Sequence, residues 1–207
     1  MSAAPRSPLL DAATERSPLV REALETATEA HAGQVRNGSG GLSYIEHPKM
    51  VAERLAAAGY GDEVLAAGLL HDAVEDSELT VEDLRERFGD PVASLVAALS
   101  DDESIESYSE RKREHRRRIE AVDGDALAIY AADKLTNSTT LGEALEREGA
   151  GVAGEFKVPL GLKLEVWEAD AELLRRLVPD LPFLEPLEAA LNRLREDLLV
   201  AGPPARD

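Results

Sequence analysis

Hydrophobic residues recur at steps of three and four along most of the chain, which is the spacing of a helix with one buried face. The segment 159–178 shows this best, with Leu160, Leu164, Trp167, Ala171, Leu174 and Val178 on one face. No segment alternates polar and apolar residues as a strand would, and only 4% of the residues are aromatic. The pattern therefore predicts an all-α fold.

Helix start and stop signals divide this pattern into separate elements. Caps, prolines at first helical positions and terminal glycines bound most of them. The predicted helices are 19–32, 47–59, 63–76, 80–89, 91–99, 125–147, 159–178 and 184–200. The glycine-rich segment 37–43 predicts a flexible loop between the first two helices.

These elements predict one domain with additional C-terminal helices. The main helical bundle is expected at 17–150, and the helices in 151–200 are expected to pack on it. Small residues and prolines dominate both ends of the chain. We therefore expect disordered tails at 1–16 and 201–207.

The charge of the chain limits its partners. Its 207 residues carry a formal net charge of −18 and include no cysteine. Such a chain repels nucleic-acid backbones and anionic lipid, so we expect neither as a partner, and thiol catalysis is excluded. With no secretory signal and no apolar run that could span a bilayer, we expect a cytoplasmic protein. The oligomeric state stays open.

The predicted helix 63–76 carries unusual chemistry at its end. Its apolar run, 64–70, indicates a buried helix, and four titratable residues follow: His71, Asp72, Glu75 and Asp76. In a continuous helix, they would lie within about 140° of one another. Three carboxylates so close together repel one another unless a cation or protons offset their charge. The alternative interpretation is that they mark the solvated end of the helix.

Further candidate metal ligands lie on other elements. His47 precedes a proline at a helix start, and Asp133 follows an apolar run, with Asn137 one turn later. A buried aspartate needs a partner, so Asp133 is expected to bind a metal or a basic side chain. A mixed set of imidazoles and carboxylates suits Mn²⁺, Fe²⁺, Zn²⁺ or Co²⁺ better than Ca²⁺.

Six blocks of sequence resemble a known family. They are 30–36, 44–48, 69–76, 80–89, 110–113 and 132–137, which read AHAGQVR, YIEHP, LLHDAVED, TVEDLRERFG, ERKR and ADKLTN. In this order, they resemble the HD-domain metal phosphohydrolases, above all the hydrolase domain of RelA/SpoT-type proteins and stand-alone forms such as the metazoan SpoT homologue. The resemblance covers about residues 18–145.

The resemblance implies an HD-domain helical bundle, a set of site residues and an activity. Its metal ligands would be His47, His71, Asp72 and Asp133, and the usual metal is Mn²⁺. Its catalytic acidic pair would be Glu75 and Asp76. Its substrate-binding residues would be Arg36, Lys112, Asn137, Thr140 and Leu141, the last two in a base pocket. The implied activity is (p)ppGpp 3′-pyrophosphohydrolase, which releases GDP or GTP and pyrophosphate from a nucleotide substrate.

Some residues depart from the family pattern and keep alternatives open. Asn37, Thr136, Ser138 and Thr139 replace the family's usual residues, and all are expected near the base and phosphate pocket. The alternatives are hydrolysis of another nucleotide, such as NADPH or a nucleoside monophosphate, and a metal-containing nucleotide sensor without turnover. An acidic helical adaptor would leave the His-Asp cluster unexplained.

Three further features have two interpretations each. The basic run 111–118 is either a rim that attracts polyphosphate or a solvated helix face paired with the acidic residues at 101–106. Within it, His115 is expected on the surface. His31 is expected to have a structural role, and Trp167 is expected to pack in the core.

Overall fold

A computed structural model describes residues 6–122 and 124–201. The α-helices are α1 (Pro8–Arg16), α2 (Pro18–Ala30), α3 (Glu46–Ala57), α4 (Asp62–Leu70), α5 (Ala73–Asp76), α6 (Val81–Leu99), α7 (Tyr108–Ile119), α8 (Gly124–Glu148), α9 (Leu160–Leu177) and α10 (Leu184–Ala201). A 3₁₀ helix, Gly149–Glu155, follows α8. The described residues contain no strand, only an isolated bridge between Val35 and Ser43, which confirms the all-α prediction. None of the helices described is long and apolar enough to cross a membrane.

Helix α4 lies at the centre of the bundle. Every residue of 64–70 is buried, as its apolar run predicts. It packs between α2, α3 and α6, and the long helix α8 contacts it from the side that carries Asp133. The most hydrophobic helix of the chain therefore ends inside the protein, where it delivers His71 and Asp72.

Helix α6 contains the two short helices predicted at 80–89 and 91–99. Thr80 caps its start, with its hydroxyl accepting from the Asp83 amide while the Asp83 side chain accepts from the Thr80 amide. Gly89 has a φ of 83°, so the backbone leaves the helical conformation there. Pro91 then begins the second half, as the sequence predicts.

The predicted helix 63–76 is wrong in one respect, because it breaks after Leu70 and resumes only at Ala73. The ring Nδ1 of His71 lies 2.8 Å from the carbonyl oxygen of Gly68. In a continuous helix, that oxygen would accept from the amide of Asp72. At the break, the His71 imidazole replaces that amide as the partner of the Gly68 oxygen. His71 and Asp72 therefore lie in a turn between α4 and α5.

The prediction of a disordered tail at 1–16 is wrong for residues 8–16, which form α1. Leu10 and Ala13 are buried on the bundle. The carboxylate of Glu53 on α3 accepts from the first amides of α1, at 3.2 Å from Leu9 and 2.7 Å from Leu10. A distant acid thus caps this helix, and no local pattern could show that. Residues 1–5 and 202–207 of the predicted tails lie outside the described residues.

The C-terminal helices complete the bundle. Helix α10 packs along both α8 and α9, and α9 contacts α7 and α8. Their bounds agree with the predicted 159–178 and 184–200 within two residues. The domain boundary at residue 150 stays a prediction.

Candidate active site

Three buried side chains from separate elements converge at the centre of the bundle. His47 lies at the start of α3, His71 directly after α4 and Asp133 in the middle of α8. Each offers a ligand atom, and these atoms all lie within 4.8 Å of one another. The Nε2 atoms of His47 and His71 lie 3.1 Å and 3.7 Å from Oδ1 of Asp133. Residues far apart in the sequence thus form one compact nitrogen and oxygen donor set.

Asp72 faces the same point but lies outside this tightest group. Its Oδ1 is 3.2 Å from Nε2 of His71, and its Oδ2 is 3.4 Å from Nε2 of His47. The hydroxyl of Tyr44 donates to Oδ2 of Asp72 at 2.8 Å. This bond orients the carboxylate from behind, as an outer partner orients a metal ligand.

The donor set fits a divalent cation. Because the Gly68 carbonyl can only accept, the proton of a neutral His71 ring lies on Nδ1. Its Nε2 is buried and has no hydrogen-bond partner among the described residues. A buried lone pair facing two carboxylates is costly without a cation and suitable as a ligand with one.

The charges of the cluster indicate the same preference for a cation. Burial opposes a charge on His71, yet the carboxylates of Asp72 and Asp133 raise its pKa to about 9. Burial and the nearby Arg36 lower the pKa of His47 to about 4. Without a metal, the site therefore favours a proton on one of its two imidazoles.

Asp133 is fixed in its ionised form. Although burial opposes ionisation, the adjacent Lys134 and the two imidazoles hold the pKa of Asp133 well below its usual range. Nζ of Lys134 donates to Oδ2 at 2.7 Å, and Nδ2 of Asn137 donates to Oδ1 at 2.5 Å. Lys134 thus neutralises a buried carboxylate of the cluster.

The acidic pair Glu75 and Asp76 lies on α5, at the wall of a cavity of about 260 Å³ that the cluster also lines. Burial and the charge of Asp72 raise the pKa of Glu75 to about 7. The same two causes raise the pKa of Asp76. A carboxyl group with a pKa near neutrality can both accept and return a proton.

Asp101 connects the acidic pair to the basic helix α7. Its backbone amide donates to Oε1 of Glu75 at 2.7 Å. Its carboxylate accepts from Lys112 at 2.6 Å and from Arg111 at 3.3 Å, and it lies 2.9 Å from Nδ1 of His115. Although burial opposes ionisation, the contacts with His115 and Lys112 hold the pKa of Asp101 well below its usual range.

His115 is buried, so its predicted surface position is wrong. Its ring lies edge-on to Tyr130, with the centroids 5.3 Å apart, and against the Asp101 carboxylate. The interpretation of the basic run as a face paired with acids is confirmed only for Asp101. Lys112 lines the cavity beside the cluster, as a substrate contact requires.

A second cavity of about 200 Å³ adjoins the first, and Tyr44, Asn137, Lys163 and Trp167 line both. The predicted base-pocket residues Thr140 and Leu141 line it, as does Arg36. Nη2 of Arg36 donates to Oδ1 of Asn137 at 2.8 Å, which links this guanidinium to Asp133 through one side chain. The structure therefore brings four predicted substrate residues to one cavity and Lys112 to its neighbour.

Four residues depart from the family pattern, and the sequence analysis predicts all four near the base and phosphate pocket. The structure places only one of them at this cavity. Asn37 lines the second cavity. The hydroxyls of Thr136 and Thr139 donate to carbonyl oxygens one turn earlier in α8, and Ser138 and Thr139 line a separate cavity against α10. A single departing position, Asn37, therefore faces the candidate substrate site.

The sequence analysis missed Lys163 on α9. Its Nζ lies 5.3 to 5.8 Å from the ring centroids of Phe156, Trp167 and Tyr108. Burial and the nearby cations Lys112, Lys134 and Arg36 lower its pKa to about 8. Trp167, expected to be a core residue, is buried and also lines both cavities. A lysine within an amphipathic pattern, four residues before a tryptophan, is the one local signal for this arrangement.

Comparison with known protein families decides the classification. The family model described as HD domain matches residues 23–158, which include the cluster, the acidic pair, Thr140 and Leu141. The chain belongs to the HD-domain family.

Several relatives resemble this HD-domain chain over most of its length. A guanosine-3′,5′-bis(diphosphate) 3′-pyrophosphohydrolase from Aquifex aeolicus is 36% identical over 74% of the chain and 23% of its own length. The crystal structure of lmo0812 from Listeria monocytogenes is 35% identical, with a TM-score of 0.67, over 72% of this chain and 99% of its own. A metazoan SpoT ortholog, described as hydrolysing ppGpp, is 28% identical, with a TM-score of 0.74. The match covers 88% of this chain and 98% of the ortholog's chain. The HD-domain chain spans about a fifth of the length of its curated relatives.

Proposed function

We propose that this HD-domain chain is a metal-dependent phosphohydrolase that removes the 3′-pyrophosphate of (p)ppGpp. The observation that carries the proposal is the buried His47, His71 and Asp133 cluster beside Glu75, in a cavity that cationic side chains also line. The names of the Aquifex and metazoan relatives agree with this substrate. The products would be GDP or GTP and pyrophosphate.

The residues proposed to hold the metal are His47, His71, Asp72 and Asp133. A set of two imidazoles and two carboxylates without a thiol suits Mn²⁺, which we propose as the metal. A divalent cation held there would polarise a phosphoryl oxygen and lower the pKa of water near it.

Glu75 and Asp76 are proposed to move the proton. In the reaction, a water oxygen bonds to the phosphorus next to the ribose, and the bond from that phosphorus to the 3′ oxygen breaks. Glu75, with its raised pKa, accepts the proton of the water, and the acidic pair returns a proton to the leaving 3′ oxygen. The Asp101 amide keeps Oε1 of Glu75 directed into the cavity.

Cationic side chains are proposed to bind the phosphates and orient the nucleotide. Lys112 and Lys163 line the cavity of the cluster, and Arg36 lines the adjoining one with Thr140 and Leu141. Positive charge is thus distributed over both cavities. Because the cavity of the His-Asp cluster adjoins a second cavity, a nucleotide fits the two together better than inorganic phosphate does.

A second candidate function is hydrolysis of a less charged nucleotide, such as NADPH or a nucleoside monophosphate. The observation that favours it is Asn37, a neutral residue at a cavity position where the family commonly has lysine. Lys163 supplies a cation to that same cavity, which is why we place ppGpp first.

A nucleotide panel tests these proposals. The chain is incubated with ppGpp, NADPH and GMP in the presence of Mn²⁺, and the products are identified by ³¹P spectroscopy, with Glu75→Gln as the inactive control. We expect pyrophosphate from ppGpp. Turnover of NADPH or GMP alone would favour the second candidate. Metal and nucleotide binding without any turnover would establish a sensor instead.

A further inference from the structure

Five arginines line a cavity of about 500 Å³ on the outside of the bundle, between α7 and α9. We call it the arginine groove; its arginines are Arg113, Arg116, Arg117, Arg175 and Arg176. None of them lines the cavity of the metal cluster. In a chain with a net charge of −18, this concentration of guanidinium groups is unusual.

The basic run of α7 has two faces with different surroundings. Arg111, Lys112 and His115 line the inner cavity with Asp101. Arg113, Arg116 and Arg117 line the groove. Helical periodicity produces this division, because residues three or four apart share a face. The proposed hydrolysis therefore uses one face of α7 and leaves the other without a role.

Arg116 is fixed at the base of the groove. Its Nη1 donates to Oδ1 of Asp170 at 2.9 Å and to the Val166 carbonyl oxygen at 3.5 Å. Asp170 is completely buried. Within the described residues, Nε and Nη2 of Arg116 donate to no protein acceptor. A guanidinium that a buried carboxylate holds from behind is already oriented for an anion in front of it.

Three of the other four arginines form ion pairs at the surface. Arg117 pairs with Glu114, Arg175 with Glu188 and Arg176 with Glu120. Exposed pairs of this kind contribute little to stability, so a more highly charged anion can displace the carboxylates.

One arginine of the groove lacks an ionic partner. Arg113 has no ion pair within the described part of the chain, whereas a carboxylate pairs with each of the other four arginines. Among the described residues, the carboxylates that line the groove itself are Glu120 and Glu172.

We propose that the arginine groove binds a small anion with two or more phosphate groups, at a site separate from the active site. The planar guanidinium fork matches phosphate oxygens in pairs, and the volume of the groove lies in the range of small-ligand sites, about 300–1,000 Å³. The ligand is either free diphosphate or a nucleoside diphosphate, which share this chemistry. Binding is measured without turnover, so the proposal does not depend on the proposed function.

Calorimetric titration with inorganic pyrophosphate tests the groove. The 207-residue chain carries Lys112→Gln and Lys163→Gln and is kept in a chelator, which weakens anion binding in the cavity of the cluster. At about 0.15 M salt, we expect one remaining site. Adding Arg113→Gln, Arg117→Gln and Arg176→Gln should weaken it about tenfold or more, because charge-assisted contacts are lost. Adding Arg21→Gln, Arg85→Gln and Arg195→Gln, three arginines outside the groove, should leave it unchanged.

Two further measurements separate the outcomes. Arg116→Lys keeps the charge beside Asp170 and loses the fork, so it should weaken binding without unfolding the chain. If ADP binds as tightly as pyrophosphate, the site recognises the diphosphate group alone. If ADP binds more tightly than pyrophosphate, the site recognises a nucleoside diphosphate. Absence of the remaining site, or a site that the groove variants do not weaken, overturns the proposal. So does a change of oligomeric state in the groove variants with no pyrophosphate effect, which would identify an acidic protein surface as the occupant.

Discussion

The backbone amide of Asp101 donates to the carboxylate of Glu75 at 2.7 Å, while its own carboxylate binds Lys112. One residue therefore positions both the proposed proton acceptor and a proposed phosphate contact. We expect Asp101→Asn to lower kcat/KM about tenfold, because Lys112 loses its ionic partner and the geometry at Glu75 loosens. Metal content should not change. Asp102→Asn, the same substitution at an exposed neighbour, is the control, and equal kinetics in both variants would rule out this positioning role.

We expect substitutions within the His-Asp cluster to remove bound metal and a substitution at a buried histidine outside the cluster to leave it in place. The protein purified without chelator should contain about one transition-metal ion per chain, as one closed set of ligands requires. His71→Ala and Asp133→Ala should lose most of it, whereas His115→Asn should retain it, since His115 is equally buried but lies outside the cluster. Elemental analysis measures this, and full retention in both cluster variants would disprove the site.

Glu75 predicts a pH dependence of stability in the metal-free protein. Its folded pKa of about 7 exceeds the usual 4.5. As the pH rises, the unfolded chain therefore loses this proton first, and the free energy of unfolding falls between these two values. Glu75→Gln removes the effect, so the variant should gain up to about 3 kcal/mol over the wild type by pH 8 and little at pH 4.

Thermal unfolding in chelator at both pH values measures this gain. Glu78→Gln, an exposed acid on the same segment, should show no such pH-dependent gain. A stability difference for Glu75→Gln that does not vary with pH would contradict the raised pKa.

We expect kcat/KM to decrease at high pH because Lys163 loses its positive charge there. Its pKa of about 8 means that its positive charge is lost as the pH rises through that value. If the charged form binds the phosphates, kcat/KM for ppGpp should fall above about pH 8. Lys163→Arg should keep the charge and move this limb to higher pH, and Lys163→Gln should raise KM about tenfold or more at neutral pH. An unchanged limb in Lys163→Arg would assign the titration to another group.

The surroundings of Gly68 predict that one added methyl group there lowers the stability of the protein. A Cβ atom there would lie 2.6 Å from Cδ1 of Leu55, so the buried Leu55 side chain or one of the two helices must shift. We expect Gly68→Ala to lose about 1–3 kcal/mol of stability despite the better helix propensity of alanine. It should also weaken metal binding, since the Gly68 carbonyl orients His71. Gly142→Ala, whose Cβ meets nothing within 4 Å, should instead be neutral or stabilising.

Local sequence signals were sufficient for most helices and for the cluster residues. Caps, prolines and glycines located α2, α3, α6, α8, α9 and α10, because these signals act within a few residues. The co-location of His47, His71 and Asp133 followed from buried apolar runs that end in polar groups and from the family resemblance.

Long-range contacts were not predictable in this way. The start of helix α1 is capped by Glu53, which lies more than forty residues away. His115 is buried because its ring packs against the Asp101 carboxylate and the Tyr130 ring. For Lys163, the local signal is weak, since a tryptophan four residues later also occurs beside lysines on solvated helix faces. In each case, the deciding partner lies on another element, and residue type and spacing alone do not identify it.

The division of labour between helices has a consequence for how such enzymes can diversify. The proposed metal ligands and proton carriers come from α3, α5, α8 and the turn between α4 and α5, whereas the residues that α9 adds at the cavity walls are Lys163 and Trp167. Exchange of α9 alone would therefore alter which molecule is accepted while the bond-breaking apparatus stays intact. Among the described C-terminal helices, α9 is therefore the element where single substitutions at Lys163 and Trp167 would change substrate preference and leave the proposed catalytic residues in place.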